Sequence, residues 1–316
     1  MGRGKGFQDQ IVKALFKDEE GLWLGYYESS IDQLNDSLKV AQSRKAPDLT
    51  LICLCVRVKL PGGFLRRATL NSFAVVAGNR WFWILQRIRY APGAGSRRAY
   101  VGGDKGLFMV DLWYEQYSAP EAVTAIAAAG DTMWYSRGGD LYYIDINTGE
   151  SKSVWQGDNP VLNIYVDDFG RVWSGTFDDG LKIWDTRVGN LSWIKEVNGL
   201  VNNNVLSVDG NKEGIWVGTL GGVSHFSLDE KGNYDKPENH EKAGGKRLQY
   251  IYSVHVSDAG EVYLATDGDG VMRWGGLLFE PLSEQVVLDV TTDQQGKVWW
   301  ITPDGKLYWW TQDRRQ

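Results

Sequence analysis

Apolar and polar residues alternate one by one along much of the chain. The segments from Val161 to Val166 and from Ile251 to Val256 show this period of two, and apolar residues rarely recur at helical spacing. Because successive side chains of a strand point to opposite faces, the pattern predicts short β-strands. Threonine, valine, tyrosine and tryptophan fill these segments, and glycine, aspartate and asparagine separate them, as is typical of hairpins. The chain is therefore predicted to be all-β.

One unit of this pattern occurs twice between Asp167 and Asp229. In each copy an acidic turn and a glycine precede a strand with the sequence Trp-x-Gly-Thr, and a glycine turn and a second strand follow. The unit recurs along most of the chain, each time with an aromatic residue at the tryptophan position. These marker residues are Trp23, Tyr100, Trp134, Trp173, Trp216, Tyr263 and Trp299. Five of the six gaps between them span 34 to 47 residues, and the gap from Trp23 to Tyr100 spans 77.

A repeat of about 40 residues made of short strands predicts a β-propeller with four-stranded blades. Two periods fit into the longest gap, so Val56 to Val58, followed by the turn from Pro61 to Phe64, is predicted to be a degenerate unit. The blade number is then seven or eight, in one domain that covers residues 1–316. A ring of blades buries its core between neighbouring blades and can therefore reach this size.

The two ends of the chain are predicted to meet in one blade. The last unit has strands around Trp299 and from Lys306 to Thr311, and the chain stops before a fourth strand. An unpaired edge invites aggregation, so the ring needs closure. We expect residues near Gly6 to Gln8 to supply the missing outer strand.

The repeat becomes specific where the segment from Asn198 to Val208 leads into the unit at Trp216. This arrangement resembles the two-component regulator propeller repeat, which is found in extracytoplasmic sensor regions of bacterial hybrid histidine kinases. The match is close at Trp23, Trp173 and Trp216 and loosest at Trp134. The resemblance implies a non-catalytic, ligand-sensing domain located in the periplasm or outside the cell. The signalling output would then lie outside these 316 residues.

The first residues of the innermost strands, with the loops before them, are predicted to form one rim of the ring. Amides, carboxylates, two cations and an aromatic residue meet there, a mixture that suits a carbohydrate or another polar small molecule. The predicted ligand-binding residues are Asn159, Asn202, Asn203, Asn204, Lys246, Arg247, Gln249, Tyr250, Glu284 and Gln285. The alternative is that the asparagines and glutamines only stabilise turns between blades.

No motif for nucleophilic, zinc or phosphoryl chemistry occurs in the chain. An alternative function is that of a propeller enzyme similar to the streptogramin lyases, in which His255 would be central. His225 is assigned to a third strand and His240 to a solvated loop. Asp267 to Gly270 resembles the start of a calcium loop but lacks the distal glutamate, so a hairpin turn is predicted. We predict no cofactor and no metal site.

Charge is distributed unevenly. The net charge of −6 argues against a nucleic-acid partner. Residues 49–103, however, contain nine basic residues, from Arg57 to Arg98, and no acidic one. This basic segment is interpreted as divergent blades, as an insertion that binds a protein partner, or as a corrupted stretch of reading frame. A protein-interaction platform is therefore a further alternative function. No apolar run is long enough to span a membrane, and the N-terminus lacks the apolar stretch of a signal peptide.

Overall fold

The structure, a computed structural model, describes residues 122–145, 148–293 and 295–311 continuously. Before residue 122 it describes only strands, and nothing between them. The described part is all-β and contains seven antiparallel four-stranded sheets. Each marker residue lies in the second strand of one of these sheets, and we name each sheet after its marker. Within the described residues there is no α-helix, and Glu196–Asn198 forms a 3-10 turn.

In six of the sheets, the order of the four strands in the sheet is their order in the sequence. In one of these, the Tyr100 sheet, a small hairpin falls between the first and second strands in sequence. The Trp23 sheet contains Val12–Asp18, Gly21–Tyr26, Ser30–Leu34 and Val40–Lys45. The Tyr100 sheet contains Leu51–Val58, Arg97–Gly103, Gly106–Val110 and Tyr114–Ser118. The Trp134 sheet contains Val123–Ala129, Thr132–Arg137, Asp140–Asp145 and Ser151–Trp155.

The same order continues through the second half of the chain. The Trp173 sheet contains Val161–Val166, Arg171–Thr176, Leu181–Asp185 and Asn190–Ile194. The Trp216 sheet contains Val205–Gly210, Gly214–Thr219, Gly222–Ser227 and Glu238–His240. The Tyr263 sheet contains Ile251–Val256, Val262–Thr266, Val271–Trp274 and Phe279–Pro281. Two small hairpins pair Phe73–Ala74 with Trp83–Ile84 and Lys242–Ala243 with Lys246–Arg247.

The Trp299 sheet combines strands from both ends of the chain. Asp289–Thr292, Val298–Ile301 and Leu307–Trp310 are followed in the sheet by Gly2–Arg3. Gly2 pairs with Trp309 and Arg3 with Tyr308. The strand predicted near Gly6 to Gln8 lies outside the described residues.

The prediction of a separate unit at Val56 was wrong. Leu51–Val58 pairs with Arg97–Gly103 and is the first strand of the Tyr100 sheet. Residues 59–96 therefore lie between the first and second strands of one sheet. The spacing of 77 residues could not distinguish a hidden blade from an insertion within a blade, because both lengthen the gap equally.

The Trp-x-Gly-Thr motif closes a turn and allows close packing between sheets. The Thr176 hydroxyl donates a hydrogen bond to the Gly180 carbonyl at 2.7 Å, and Thr219 makes the same contact in its own turn. Thr266, which ends the corresponding sequence Tyr-Leu-Ala-Thr, does so as well. A Cβ placed on Gly175 would lie 2.6 Å from Val205 Cγ1, on the first strand of the next sheet. Glycine is therefore required at this position because the neighbouring sheet occupies the space of a side chain.

The acidic turn binds the tryptophan of its own unit. Asp167 Oδ2 accepts a hydrogen bond from Trp173 Nε1 at 2.8 Å, and Asp293 Oδ2 accepts one from Trp299 Nε1 at 3.0 Å. In both pairs the aspartate precedes the tryptophan by six residues. The carboxylate thus satisfies an indole N–H that burial would otherwise leave without a partner.

Side chains connect the first strands of neighbouring sheets. Val208 N donates to Asn163 Oδ1 at 3.0 Å, Val254 N donates to Ser207 Oγ at 2.9 Å, and Val256 N donates to Asp209 Oδ2 at 2.8 Å. The third residue of one first strand thus meets the fourth residue of the next, so these strands run in the same direction. Apolar clusters fill the space farther out, such as the cluster that joins Trp173 to Val205 and Phe226.

Candidate functional site

Two kinds of loop meet at the end of the sheets where each first strand begins. We call this end the entry end. Since the four strands of a sheet alternate in direction, the turn between the second and third strands returns to the entry end. The loop that leads from the fourth strand to the next sheet also returns there. Backbone hydrogen bonds join the two kinds of loop, as from Gly180 N to Asn203 O at 2.8 Å and from Asp267 N to Tyr250 O at 3.1 Å.

A cavity of about 350 Å³ opens beside the Tyr263 sheet at this end. Its walls come from the loop after the Trp216 sheet, from the turn between the second and third strands, and from the loop that leaves the Tyr263 sheet. The lining residues are Ala243, Gly244, Lys246, Gly268, Asp269, Met272, Pro281 and Glu284. The cavity thus combines an ammonium group and two carboxylates with the apolar surface of Met272 and Pro281.

Tight turns hold the charged groups of the cavity in place. Gly268 and Gly270 have φ values of 90° and 78°, which flank Asp269 with conformations that favour glycine. A Cβ on Gly270 would lie 1.9 Å from the Ser283 carbonyl oxygen, so this turn lies directly against the segment that carries Glu284. Ser283 Oγ accepts a hydrogen bond from Val271 N at 2.9 Å and fixes the two segments together.

Lys246 and Glu284 are the two predicted site residues that line this cavity. Arg247 is exposed and its Nη2 lies 3.3 Å from Glu241 Oε2. Gln249 is also exposed, and Gln285 is half-buried. Tyr250 is 40% exposed, and its ring stacks on Tyr252 with a centroid distance of 6.1 Å. The structure therefore brings the predicted cation, Lys246, and the predicted carboxylate, Glu284, from separate loops to one cavity.

The predicted asparagines take part in turns. Asn202 Oδ1 accepts from Asn204 N at 2.9 Å. Asn203 Oδ1 accepts from Glu196 N, and Glu196 Oε1 accepts from Asn203 N, both at 2.9 Å. Asn159 is half-buried in the loop before the Trp173 sheet. These contacts match the alternative in which asparagines stabilise the loops between sheets.

Asp269, in the turn from Asp267 to Gly270, was missing from the predicted site. The sequence correctly indicated a hairpin turn here, because the segment joins Val262–Thr266 to Val271–Trp274. Asp269 lines the cavity. Burial, together with the charge and hydrogen bond of Asp267, raises the pKa of Tyr252 to about 12. The alternating strand direction, which places this turn at the entry end, was the signal that could have identified Asp269.

His255 is buried between sheets and is not open to a ligand. Its side chain is 2% exposed. Nε2 lies 2.8 Å from Thr292 Oγ1, and Nδ1 lies 3.6 Å from Asp209 Oδ2. Its ring also stacks on Tyr263. These contacts indicate that His255 supports the packing of the first strands.

The assignment of His240 to a solvated loop was wrong. His240 ends the fourth strand of the Trp216 sheet and is half-buried beside Trp274, with a ring centroid distance of 4.6 Å. His225, in the third strand as predicted, stacks on Trp216 at 4.0 Å. The polar sequence around His240 concealed an edge strand whose other residues face solvent.

The lowered pKa values of His225 and His240 predict that the protein loses stability in acid. Burial lowers the pKa of His225 to about 4, His240 acts in the same direction, and Glu238 opposes the shift. Burial likewise lowers the pKa of His240, again against Glu238. In the unfolded chain both rings bind protons below a pH of about 6.5. Stability should therefore be fully present above a pH of about 6.5 and decrease as the pH falls towards about 4.

Thermal unfolding between a pH of about 7.5 and about 4.5 measures this effect. His225→Phe is the matched control, because phenylalanine keeps the ring against Trp216 but cannot take up a proton. Its melting temperature should depend less on pH than that of the wild type. Equal pH dependence in the two proteins would show that His225 does not contribute.

Within the part of the chain that the structure describes, no group of three His, Cys, Asp or Glu side chains is arranged to hold a metal ion. The described residues also include no helix that is long and apolar enough to cross a membrane.

Comparison with solved structures places the fold among propeller-type domains. The extracellular domain of the hybrid two-component system BT4673 from B. thetaiotaomicron is similar with a TM-score of 0.63 and 16% identity, over 96% of this chain and 38% of that chain. The corresponding domain of BT3049 from the same organism is similar with a TM-score of 0.61 and 16% identity, over 96% of this chain and 40% of that chain. The computationally designed protein Ika8 matches with a TM-score of 0.59 and 13% identity, over 98% of both chains.

This chain therefore spans about two fifths of the length of the two bacterial domains. At such low identity the similarity concerns the fold. No family model matches the chain, and no curated protein matches its sequence.

Proposed function

We propose that this protein is a closed seven-bladed propeller that senses a small ligand as the input part of a bacterial two-component regulator. Seven marker residues in seven described sheets support the blade number. The pairing of Gly2–Arg3 with Leu307–Trp310 supports closure by both ends of the chain. The similarity to two extracellular domains of hybrid two-component systems supports the sensing role and a location in the periplasm or outside the cell.

The ligand is proposed to be a carbohydrate or another polar small molecule that enters the Lys246 cavity. The observation that carries this proposal is the meeting of Lys246, Asp269 and Glu284, from three separate loops, around one opening. Ammonium and carboxylate groups hydrogen-bond hydroxyl groups as donors and acceptors, and the surface of Met272 and Pro281 covers the apolar face of a ring.

The role is proposed to be non-catalytic. His255, on which the lyase alternative depends, is buried and contacts Thr292 and Asp209 instead of an open cavity. His225 and His240 lie at a distance along the chain, in the outer strands of the Trp216 sheet. Their rings pack on aromatic neighbours.

Calorimetry against a panel of neutral and charged oligosaccharides tests the proposal. For a sugar that binds, Lys246→Ala and Glu284→Gln should each weaken binding by about tenfold, because each removes a charge-assisted hydrogen bond. Lys212→Ala is the matched control, since Lys212 is exposed in a turn at the opposite end. Unchanged affinity in both cavity variants would show that the sugar does not bind in this cavity. Absence of binding across the panel would contradict the proposal of a carbohydrate ligand.

A further inference from the structure

An exposed tryptophan beside two lysines lies at the outer edge of the Trp173 sheet. Trp193 belongs to the fourth strand and is 54% exposed. Among the described residues, large apolar side chains with this much exposure are few, and the other exposed ones include no second tryptophan. Single exposed apolar side chains are common on protein surfaces, so the exposure of Trp193 gains meaning only from the charged groups beside it.

One carboxylate serves both lysines next to this ring. Lys182 Nζ lies 3.0 Å from Asp179 Oδ2, and Lys195 Nζ lies 2.5 Å from Asp179 Oδ1. Burial acts to raise the pKa of Asp179, but the hydrogen bonds from Lys195 and Lys182 outweigh it and keep that pKa below its usual range. Asp179 is thus charged and shared between two cations, and this leaves the pair of lysines with less than one counter-charge each.

The two lysines differ in what they offer to a ligand. The Lys182 side chain is 2% exposed, and its Nζ lies 4.5 Å from the ring centroid of Trp155 and 5.4 Å from that of Trp193. The Lys195 side chain is 39% exposed, with Nζ 6.0 Å from the Trp193 centroid. Lys182 is therefore buried against Trp155, Trp193 and Asp179, whereas the side chain of Lys195 is partly open to solvent.

Two further groups lie next to the two lysines. Glu196, which follows Lys195, accepts a hydrogen bond from Asn203 N at 2.9 Å and holds the loop. The Trp155 indole N–H has no hydrogen-bond partner within the described structure, although the side chain is only 8% exposed. The cluster thus presents the partly exposed side chain of Lys195 and the exposed ring of Trp193 to solvent.

We propose that Trp193 and Lys195 form a second binding site, for a sugar ring that carries a carboxylate. The ring would stack on the open face of Trp193, and its carboxylate would accept hydrogen bonds from Lys195. The site lies on the Trp173 sheet, whereas the Lys246 cavity lies beside the Tyr263 sheet. The proposal therefore stands independently of the function proposed for that cavity.

Calorimetry with a galacturonic acid trisaccharide, against the neutral galactose trisaccharide, tests the site. We expect the acidic sugar to bind with an affinity that falls as salt rises, and the neutral sugar to bind at least about tenfold more weakly. Trp193→Ala and Lys195→Gln should each weaken binding of the acidic sugar by about tenfold. Each variant also loses a contact with Asp179 or Lys182, so its melting temperature is measured and binding is compared well below it, where the variant is folded.

The controls are Val197→Ala, which changes a residue that is 90% exposed in the same segment, and Lys246→Ala in the other cavity. Neither should alter binding of the acidic trisaccharide. The proposal is overturned by equal affinity for the neutral sugar, by full affinity in Trp193→Ala, or by loss only in Lys246→Ala. Tighter binding of benzoate than of the trisaccharide would also overturn it, because the site would then select an aromatic anion.

Discussion

Asp167→Ala is expected to lower the free energy of unfolding by about 3–5 kcal/mol. The Asp167 side chain is fully buried and accepts hydrogen bonds from Arg171 N, Arg171 Nε and Trp173 Nε1. Arg171 is itself only 7% exposed, and its guanidinium lies among the rings of Phe169, Trp173 and Tyr234. Without the carboxylate this cation stays buried with no counter-charge, and the indole N–H loses its acceptor.

Urea unfolding followed by tryptophan fluorescence measures this loss. The double variant Asp167→Ala with Arg171→Met is the control, because it removes both charges together. It should be more stable than Asp167→Ala alone, since no unpaired charge stays buried. If the single variant unfolds at the urea concentration of the wild type, the ion pair does not hold this turn. Asp293→Ala, at the equivalent but half-buried position, should cost less than Asp167→Ala.

Gly218→Ala is expected to destabilise the protein by about 1–3 kcal/mol through overpacking. The new Cβ would lie 2.8 Å from Ile251 Cγ2 and 2.9 Å from Val254 Cγ2, on the first strand of the Tyr263 sheet. Both are short branched side chains in a fully buried strand. Relief would therefore require the two sheets to move apart.

Gly221→Ala is the matched control in the same hairpin. A Cβ at Gly221 would lie 3.5 Å from Val201 Cγ1, an ordinary contact, so its effect should stay within about 0.5 kcal/mol. Combining Gly218→Ala with Ile251→Ala should cost less than the sum of the two single changes, because the smaller side chain makes room. Equal melting temperatures for Gly218→Ala and Gly221→Ala would contradict this account.

The sequence predicted the strand content and the marker positions well, because each repeat encodes its own turn chemistry. The threonine of Trp-x-Gly-Thr and the acidic turn act within their own unit, through contacts such as Thr176 with Gly180 and Asp167 with Trp173. Interactions of this kind depend on a spacing of three to six residues, which can be read along the chain. The blade at Val56 was mistaken because spacing alone was used there, without a marker residue.

The candidate site was only partly predictable, because it depends on how loops from different units meet. Lys246 and Glu284 were identified as rim residues, and the structure brings them to one cavity. Asn202 and Asn203 are residue types that suit a binding surface. Their side-chain oxygens, however, accept hydrogen bonds from backbone N–H groups. Asp269 was overlooked because its segment was assigned to a hairpin turn without asking at which end of the sheet that turn lies.

The side-chain hydrogen bonds between first strands have a consequence for how such repeats can be exchanged. The first strands of the Trp216 and Tyr263 sheets each rely on an acceptor from the preceding unit, Asn163 for Val208 and Ser207 for Val254. A unit moved to another position would meet a neighbour with a different acceptor and would leave a buried amide unsatisfied. These copies are thus alike in backbone but individually matched to their neighbours, so their order along the chain is part of the information that the sequence encodes.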